Sequence, residues 1–102
     1  MIIYSVTVVI KKDVEDSWLK WMKEEHIKDV IKTGNFTDWE MHNLLLPEIA
    51  ADESTYNISY KSPSLHQYNK YLKNEASRLQ KEHTERFSGK FKASRAVYQL
   101  IT

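Results

Sequence analysis

The chain has 102 residues, of which 41% are hydrophobic and 28% charged, and its formal net charge is +1. This balance is typical of a single globular domain over residues 1–102, and the lack of a basic stripe argues against nucleic acid as a partner. The absence of cysteine excludes disulfides, thiolate metal ligands and a cysteine nucleophile. The apolar N-terminus is too short to cross a membrane, so we expect a soluble cytoplasmic protein.

Six secondary-structure elements are predicted, beginning with a strand over the β-branched run Ile2–Ile10. Asp13 and Asp16 suit the first turn of a helix that runs to about His26, and a second helical piece continues to about Lys32. The later elements, with helix-ending glycines at positions 34 and 89, are a strand over Phe36–Leu46, a strand over Ser54–Lys61, a helix from the Ser62-Pro63 cap to about Phe87, and a strand over Phe91–Ile101.

The order β-α-β-β-α-β indicates an α+β protein with a ferredoxin-like antiparallel sheet, because right-handed crossovers place both helices on one face. Strand alternation predicts Ile2, Tyr4, Val6, Val8, Ile10, Tyr56, Ile58, Tyr60, Phe91 and Val97 on the helix side, and Ile3, Ser5, Thr7, Val9, Trp39, Met41, Leu45, Thr55, Asn57, Ser59, Ser94, Ala96, Tyr98 and Leu100 on the other. The second face is too apolar for water and too polar for an ordinary core. We therefore expect a homodimer through this face, which would be a dimeric α+β barrel.

The apolar stripes of the two helical regions decide where their histidines point. At about 100° per residue, the second helix has one stripe, formed by Leu65, Tyr68, Leu72, Ala76, Leu79 and His83. The first region has two, since Trp18 and Met22 share one face whereas Ile27 and Val30 lie almost opposite. A straight helix cannot bury both sets against one sheet, which predicts a kink or a break near residues 25–27, with His26 at the joint.

Several runs resemble a small uncharacterised bacterial family that carries a domain of unknown function. These runs are Trp18-Leu19-Lys20-Trp21-Met22 to Glu25-His26-Ile27, Arg78-Leu79 to Glu82-His83, and Arg86-Phe87 to Phe91-Lys92-Ala93-Ser94-Arg95. That family belongs to the dimeric α+β barrel superfamily, and the resemblance spans essentially the whole chain. It implies a ferredoxin-like protomer that pairs through its sheet. The superfamily also contains small monooxygenases and lactone isomerases, whose ligands often lie between the sheet and the helices of each protomer.

His26 is the first candidate for a catalytic group. We expect Tyr4 and Tyr60 to be its neighbours on the helix side of the sheet, and Asp29 to orient its ring. A histidine held in this way is a plausible general acid or base, and the end of a helix would favour its protonated form. The alternative is a structural histidine that caps the broken helix and hydrogen-bonds to a tyrosine.

His83 is the second candidate, because Arg95 in the last strand has the parity that points toward the helices. Together they could form a pocket for an anion or an acid. The alternative is an interior salt bridge in which Glu82 or Glu75 neutralises Arg95 and holds helix to strand.

A metal shared by the two histidines is not expected. If both helices end at their histidines and run antiparallel, the rings should lie a helix length of ~20 Å apart, whereas metal ligands lie about 2 Å from the ion. No cofactor is predicted either. The other two histidines, His42 and His66, are interpreted as surface residues.

Two functions remain after these considerations. One is a homodimeric protein that binds a small molecule between sheet and helices. The other is a cofactor-independent enzyme of monooxygenase or isomerase type, with a histidine as acid or base. The sequence does not decide whether the protein is an enzyme, because fold does not fix function.

Overall fold

A computed structural model of the chain describes all 102 residues and contains one four-stranded antiparallel sheet with helices on one face. The strands are β1 (Ile2–Lys11), β2 (Asp38–Asn43), β3 (Glu53–Ser62) and β4 (Phe91–Gln99), in the spatial order β2-β3-β1-β4. This arrangement confirms the predicted ferredoxin-like βαββαβ fold. No helix has the length and the apolar character needed to span a membrane.

The central strands β1 and β3 bring alternate aromatic and aliphatic side chains to the helix side. Tyr4 lies opposite Tyr60 in β3 and opposite Val97 in β4, which fixes the register of three strands. The residues buried on this side are Tyr4, Val8 and Ile10 of β1 and Tyr56, Ile58 and Tyr60 of β3. The predicted inner face is therefore confirmed for both central strands, whereas Val97 at the edge is 42% exposed.

Strand β2 presents the face opposite to the one predicted, and it is shorter. Trp39 pairs with Tyr60, and Met41 pairs with Ile58. Directly opposed residues in a sheet share a face, so both side chains lie on the helix side, and Met41 packs against the core. Their assignment to the outer face was wrong because alternation within one strand does not reveal the register with its neighbour.

The first helical region is continuous, and a π-helical turn stands where the kink or break was predicted. Its parts are a 3₁₀ turn (Lys12–Val14), α1 (Glu15–Trp21), the π turn (Met22–His26) and α2 (Ile27–Lys32). A π turn holds an additional residue, which rotates the following helix relative to the preceding one. As a result Trp18, Met22, Ile27 and Val30 are all buried on the same side. The two stripes are reconciled without breaking the helix.

The second helical region is divided at Glu75, whose φ of −127° is not helical, into α3 (Leu65–Asn74) and α4 (Ala76–Arg86). The change of phase turns Tyr71 toward the sheet, whereas Leu65 and Leu72 are 53% and 50% exposed. These two leucines were therefore wrongly placed in the apolar stripe. The expectation of one regular stripe fails because a uniform 100° step does not hold across the break.

The cap of this region is Ser64 and not Ser62. The Ser64 hydroxyl accepts a hydrogen bond from the Gln67 backbone N–H at 3.1 Å, as an N-cap does. Ser62 is unavailable because it is the buried last residue of β3, paired with Ile2. At the other helix ends, Gly34 and Gly89 have φ of +80° and +75°, which agrees with their predicted role.

Candidate ligand site between sheet and helices

His26 and His83 lie side by side in the interior of the protein. Their ring centroids are 5.7 Å apart, and the ring planes are inclined at 64°. The expected separation of a helix length is therefore wrong. It assumed that the first helix ends at His26, whereas the helix continues to Lys32 and brings His26 level with the last turns of α4.

The Trp18 side chain fixes the protonation state of His83. The indole Nε1–H donates a buried hydrogen bond of 2.9 Å to His83 Nε2. Because an indole can only donate, His83 Nε2 must be unprotonated, and the ring carries its proton on Nδ1. Burial, together with smaller contributions from the neighbouring His26 and Arg95, lowers the pKa of His83 to about 4. His83 is thus neutral at neutral pH.

Aromatic rings surround His83 on its remaining sides. Phe91 of β4 meets it edge-on with a centroid distance of 4.3 Å, and Trp21 and Phe87 each lie at 5.7 Å. Only 6% of His83 is exposed. This packing explains why burial dominates its pKa, since a charged imidazolium would lose its hydration among apolar rings.

The His26 ring stacks on Trp21, with centroids 5.0 Å apart and an interplanar angle of 28°. Its Nδ1 is buried and has no hydrogen-bond partner, so Asp29 does not orient the ring as expected. Burial lowers the pKa of His26 to about 4, although the charge of Asp29 partly opposes this. The expected protonated form is therefore wrong. The helix does not end at His26, and so no helix terminus is present to stabilise the charge.

Asp29 faces a different part of the molecule. It lines a charged surface groove between the two helical regions, together with Glu24, Glu25, Lys28, Lys32, Glu82, Glu85 and Arg86. The acids that precede the two histidines in sequence, Glu25 and Glu82, belong to this groove. None of these carboxylates enters the interior site.

Arg95 lies on β4 opposite Val6 and borders the interior site without a carboxylate partner. The predicted salt bridge with Glu75 or Glu82 is wrong, because Arg78 binds both acids, at 2.6 and 3.5 Å. Arg95 is an exposed residue, which keeps its guanidinium hydrated and makes a buried counter-ion unnecessary. Its charge nevertheless acts inward, since it lowers the pKa values of both histidines.

A cavity connects these groups. Its volume is about 30 Å³, counted as the space that the centres of water molecules can occupy. One ordered water needs ~10–15 Å³ when the volume is counted in the same way. It is lined by Tyr4, His26, Tyr60, Tyr71, Gln80, His83 and Arg95 among polar residues, and by Val6, Val8, Met22, Val30, Ile58 and Ala93. The cavity can hold about two water-sized groups.

Three tyrosines give this cavity neutral hydroxyl groups. Burial raises the pKa of Tyr4, of Tyr60 and of Tyr71, so each phenol keeps its proton at neutral pH. For Tyr4, the nearby Arg95 and Gln80 side chains oppose this rise without cancelling it. The cavity thus combines neutral donors with one guanidinium and no carboxylate.

Of the candidates from sequence, His26, His83, Tyr4, Tyr60 and Arg95 come together at the cavity, whereas Asp29 does not. Sequence reasoning missed Tyr71 and Gln80, which line the cavity because the break at Glu75 changes the helix phase. It also treated Trp18 only as a residue of the apolar stripe in the first helical region. A buried tryptophan needs an acceptor for its N–H, and that requirement could have linked it to a histidine.

The fold and the cavity define a ferredoxin-like α+β protein with an interior polar site between sheet and helices. The chain belongs to the family of the domain of unknown function DUF4286, whose sequence profile matches residues 1–101. This confirms the resemblance to a domain of unknown function within the dimeric α+β barrel superfamily. No curated protein sequence matches the chain.

Solved structures of several proteins share the fold at low sequence identity. HapK from Hahella chejuensis is 10% identical with a TM-score of 0.71, over 99% of this chain and 93% of its own. A dimeric ferredoxin-like protein from an uncultured marine organism is 10% identical with a TM-score of 0.67, over 99% and 98%. SnoaB from Streptomyces nogalater, described as a cofactor-independent oxygenase, is 10% identical with a TM-score of 0.59, over 99% and 94%. These similarities establish the fold alone.

Proposed function

We propose that this protein binds a small organic anion, whose carboxylate or enolate oxygen enters the cavity beside Arg95. The observation that carries the proposal is a guanidinium that borders an interior cavity and has no carboxylate partner in the protein. A guanidinium presents several N–H donors in a geometry that matches an oxyanion. An anionic ligand at this position would exchange water for a charge-assisted hydrogen bond to the guanidinium.

The other polar groups of the cavity favour the same charge. Tyr4, Tyr60 and Tyr71 keep their protons and can donate hydrogen bonds, and His83 carries its proton on Nδ1. No carboxylate lines the cavity to repel an anion. Donors that are already in place and partly shielded from water bind an oxyanion more strongly than the same donors in solution.

The size of the cavity limits what can enter. Room for about two water-sized groups suits the two oxygens of a carboxylate, or one enolate oxygen and its carbon. The rest of the ligand would extend past the exposed Arg95 toward solvent at the β4 edge.

Benzoate and benzamide test this proposal, because they have nearly the same shape and differ in charge. Two-dimensional NMR of ¹⁵N-labelled protein should show saturable shifts around the cavity with benzoate and none with benzamide. Arg95→Met should abolish the difference. Arg78→Met is the matched control and should bind benzoate like the wild type, because Arg78 lies on the helix surface. Equal binding of both compounds, or unchanged benzoate binding by Arg95→Met, would refute the proposal.

We also propose that two copies pair through the outer face of the sheet. At its centre, the Asn57 amide donates to the Ser5 and Thr7 hydroxyls at 2.8 and 3.0 Å, and Ser59 donates to the Asn57 carbonyl at 3.0 Å. These bonds satisfy both donors and the carbonyl of the Asn57 side chain within one protomer, so that a second copy could cover it without leaving the amide unpaired. One structural neighbour is described as a dimeric ferredoxin-like protein.

The single domain over residues 1–102 and the cytoplasmic location stay predictions.

A second candidate function is proton abstraction from the bound anion, as in an isomerase that needs no cofactor. Two observations favour it: the neutral His26 ring lines the cavity, and one neighbour is described as a cofactor-independent oxygenase. His26 would take a proton from a carbon next to a carbonyl, while the Arg95 guanidinium donates a hydrogen bond to the developing enolate oxygen. Phenylpyruvate in D₂O should then exchange its C3 hydrogens faster with protein present. His26→Gln should remove the acceleration, and an exchange rate equal to that of buffer would refute this candidate.

A further inference from the structure

We infer that Trp18 is a positioning residue, which holds His83 as a hydrogen-bond donor to the ligand and leaves His26 as the only basic imidazole of the site. This inference rests on the proposed anion site. It assigns different roles to two histidines that have the same neutral charge state. It also restricts the ligand to a narrower chemical class than organic anions in general.

A hydrogen bond joins the Trp18 indole to the His83 imidazole. At 2.9 Å, with the indole as donor, it occupies the only unprotonated nitrogen of His83. Nδ1 carries the remaining proton, so His83 can donate to a ligand but cannot accept from one. The side chain lines the cavity, where an oxyanion can receive this N–H.

The Trp18 side chain is fully buried and held in place by its neighbours. Its ring packs against Tyr56 with a centroid distance of 5.2 Å, and the Tyr56 hydroxyl donates a 2.6 Å hydrogen bond to the Glu15 carboxylate. Glu15 opens the same helix in which Trp18 lies. The indole is therefore fixed from two sides, and its N–H has no other acceptor.

His26 differs from His83 in having no such hydrogen bond. No group hydrogen-bonds to its buried Nδ1, so nothing in the protein selects one of its two neutral tautomers. His26 is held by stacking on Trp21, which constrains the plane of the ring and not the place of its proton. An imidazole of this kind can accept a proton at one nitrogen and release it from the other.

The two rings are 5.7 Å apart and border one cavity, so a single small ligand can reach both. Such a ligand would offer an acceptor oxygen to His83 and a hydrogen-bond donor or an acidic proton to His26. The matching chemical class is an organic acid or enolisable carbonyl compound that has a hydroxyl or an acidic C–H next to its anionic oxygen. A simple carboxylate, such as benzoate, uses only the His83 and Arg95 side of the site.

The experiment is imidazole NMR of ¹⁵N-histidine-labelled protein without ligand, combined with benzoate and salicylate binding. In the wild type, His83 should show a protonated Nδ1 and an unprotonated Nε2, whereas His26 should show a mixture of tautomers. Trp18→Phe keeps an aromatic ring but removes the donor, so His83 should become a mixture of tautomers. Benzoate affinity should then fall in proportion to the fraction of His83 that keeps its proton on Nδ1, about twofold for an even mixture. Trp39→Phe, at a half-exposed position, is the control and should change neither result. Salicylate, which adds a hydroxyl, should bind more tightly than benzoate, and His26→Gln should reduce this preference.

The outcomes separate this inference from the proposed function. A His83 with protonated Nε2 in the wild type overturns the role of Trp18, whether or not benzoate binds, and this measurement needs no variant. A changed His83 tautomer in Trp18→Phe with unchanged benzoate affinity also overturns it. If the wild type has the expected tautomers but does not bind benzoate, the anion site itself is refuted and the positioning role falls with it.

Discussion

The imidazole rings of His26 and His83 face each other 5.7 Å apart in the interior, and each is bordered by Trp21. Neither ring has a carboxylate in contact with it, and the nearest cation that acts on both is Arg95. Protonating one ring would therefore bring a positive charge next to a second titratable ring and an arginine, in a place poor in water. The pair is consequently neutral at neutral pH, and acid should destabilise the fold.

Acid destabilisation can be predicted with its sign. The folded-state pKa values of both rings are about 4, below the ordinary value of 6.5, so the unfolded chain binds more protons between these two values. The free energy of unfolding should be largest above pH 6.5, decline as the pH falls toward 4, and lose on the order of 3 kcal/mol per ring at about 1.4 kcal/mol per pKa unit. Urea unfolding at pH 7, 5.5 and 4 measures this decline.

Two variants separate the contribution of the histidines to this decline from that of carboxylates, which titrate in a neighbouring pH range. His83→Phe removes one buried imidazole, so the decline between pH 6.5 and 4 should become smaller than in the wild type. His66→Gln changes an exposed histidine at the start of α3 and should reproduce the wild-type decline. An identical pH dependence for wild type and His83→Phe would contradict the buried neutral state of His83.

Removing His83 should also reduce stability at neutral pH. His83→Ala leaves a gap among Trp21, Phe87 and Phe91 and deprives the Trp18 N–H of its acceptor. We expect a loss of roughly 2–5 kcal/mol for the side-chain truncation. His83→Phe fills the gap, so its loss should be nearer to ~1–3 kcal/mol, the cost of one buried unsatisfied donor. Thermal and urea unfolding at pH 7 measure both, and unchanged or higher stability would mean that His83 is retained at a cost to the fold.

Much of the fold could be predicted because it depends on local periodicity. Alternation over β1 and β3 indicated the correct inner residues, and the glycines at positions 34 and 89 marked the helix ends. The face of β2 could not be predicted in this way. Its orientation depends on the pairing of Trp39 with Tyr60 in the neighbouring strand. The alternation of residues within β2 does not reveal this pairing.

The residues of the site could be predicted better than their arrangement in space. His26, His83 and Arg95 were selected because polar residues on apolar faces require an explanation. Their proximity could not be derived, since it depends on a π turn that carries the first helix past His26. The pairing of Arg78 with Glu75 and Glu82 could have been predicted, because residues three and four positions apart are neighbours on a helix surface.

The π turn should be necessary for the core and not a tolerated irregularity. Deleting the exposed Glu24 would convert Met22–His26 to a regular α-helix and rotate α2 by about 100° relative to α1. Ile27 and Val30 would leave the core, at a cost of roughly 1.5–3 kcal/mol each, which is a large part of a typical domain's stability. Circular dichroism with thermal unfolding should show a strongly destabilised or unfolded protein. Deletion of Ala50, in the exposed β2–β3 loop, is the control and should be tolerated, whereas equal tolerance of both deletions would contradict a packing role.

The outer face of the sheet can be tested as a dimer interface with one added charge. Ala96 of β4 lies opposite Ser5 and is only partly exposed, next to the Ser5–Asn57 hydrogen bond near the middle of this face. In a face-to-face dimer, Ala96→Glu would bury an unpaired carboxylate in each copy, which costs far more than the contact it replaces. Light scattering at micromolar concentration should give twice the 12.1 kDa chain mass for the wild type and a single chain mass for Ala96→Glu. Ser77→Glu, on the exposed side of α4, should remain dimeric. A wild-type monomer would refute the dimer, and a dimeric Ala96→Glu would place the interface elsewhere on the protomer.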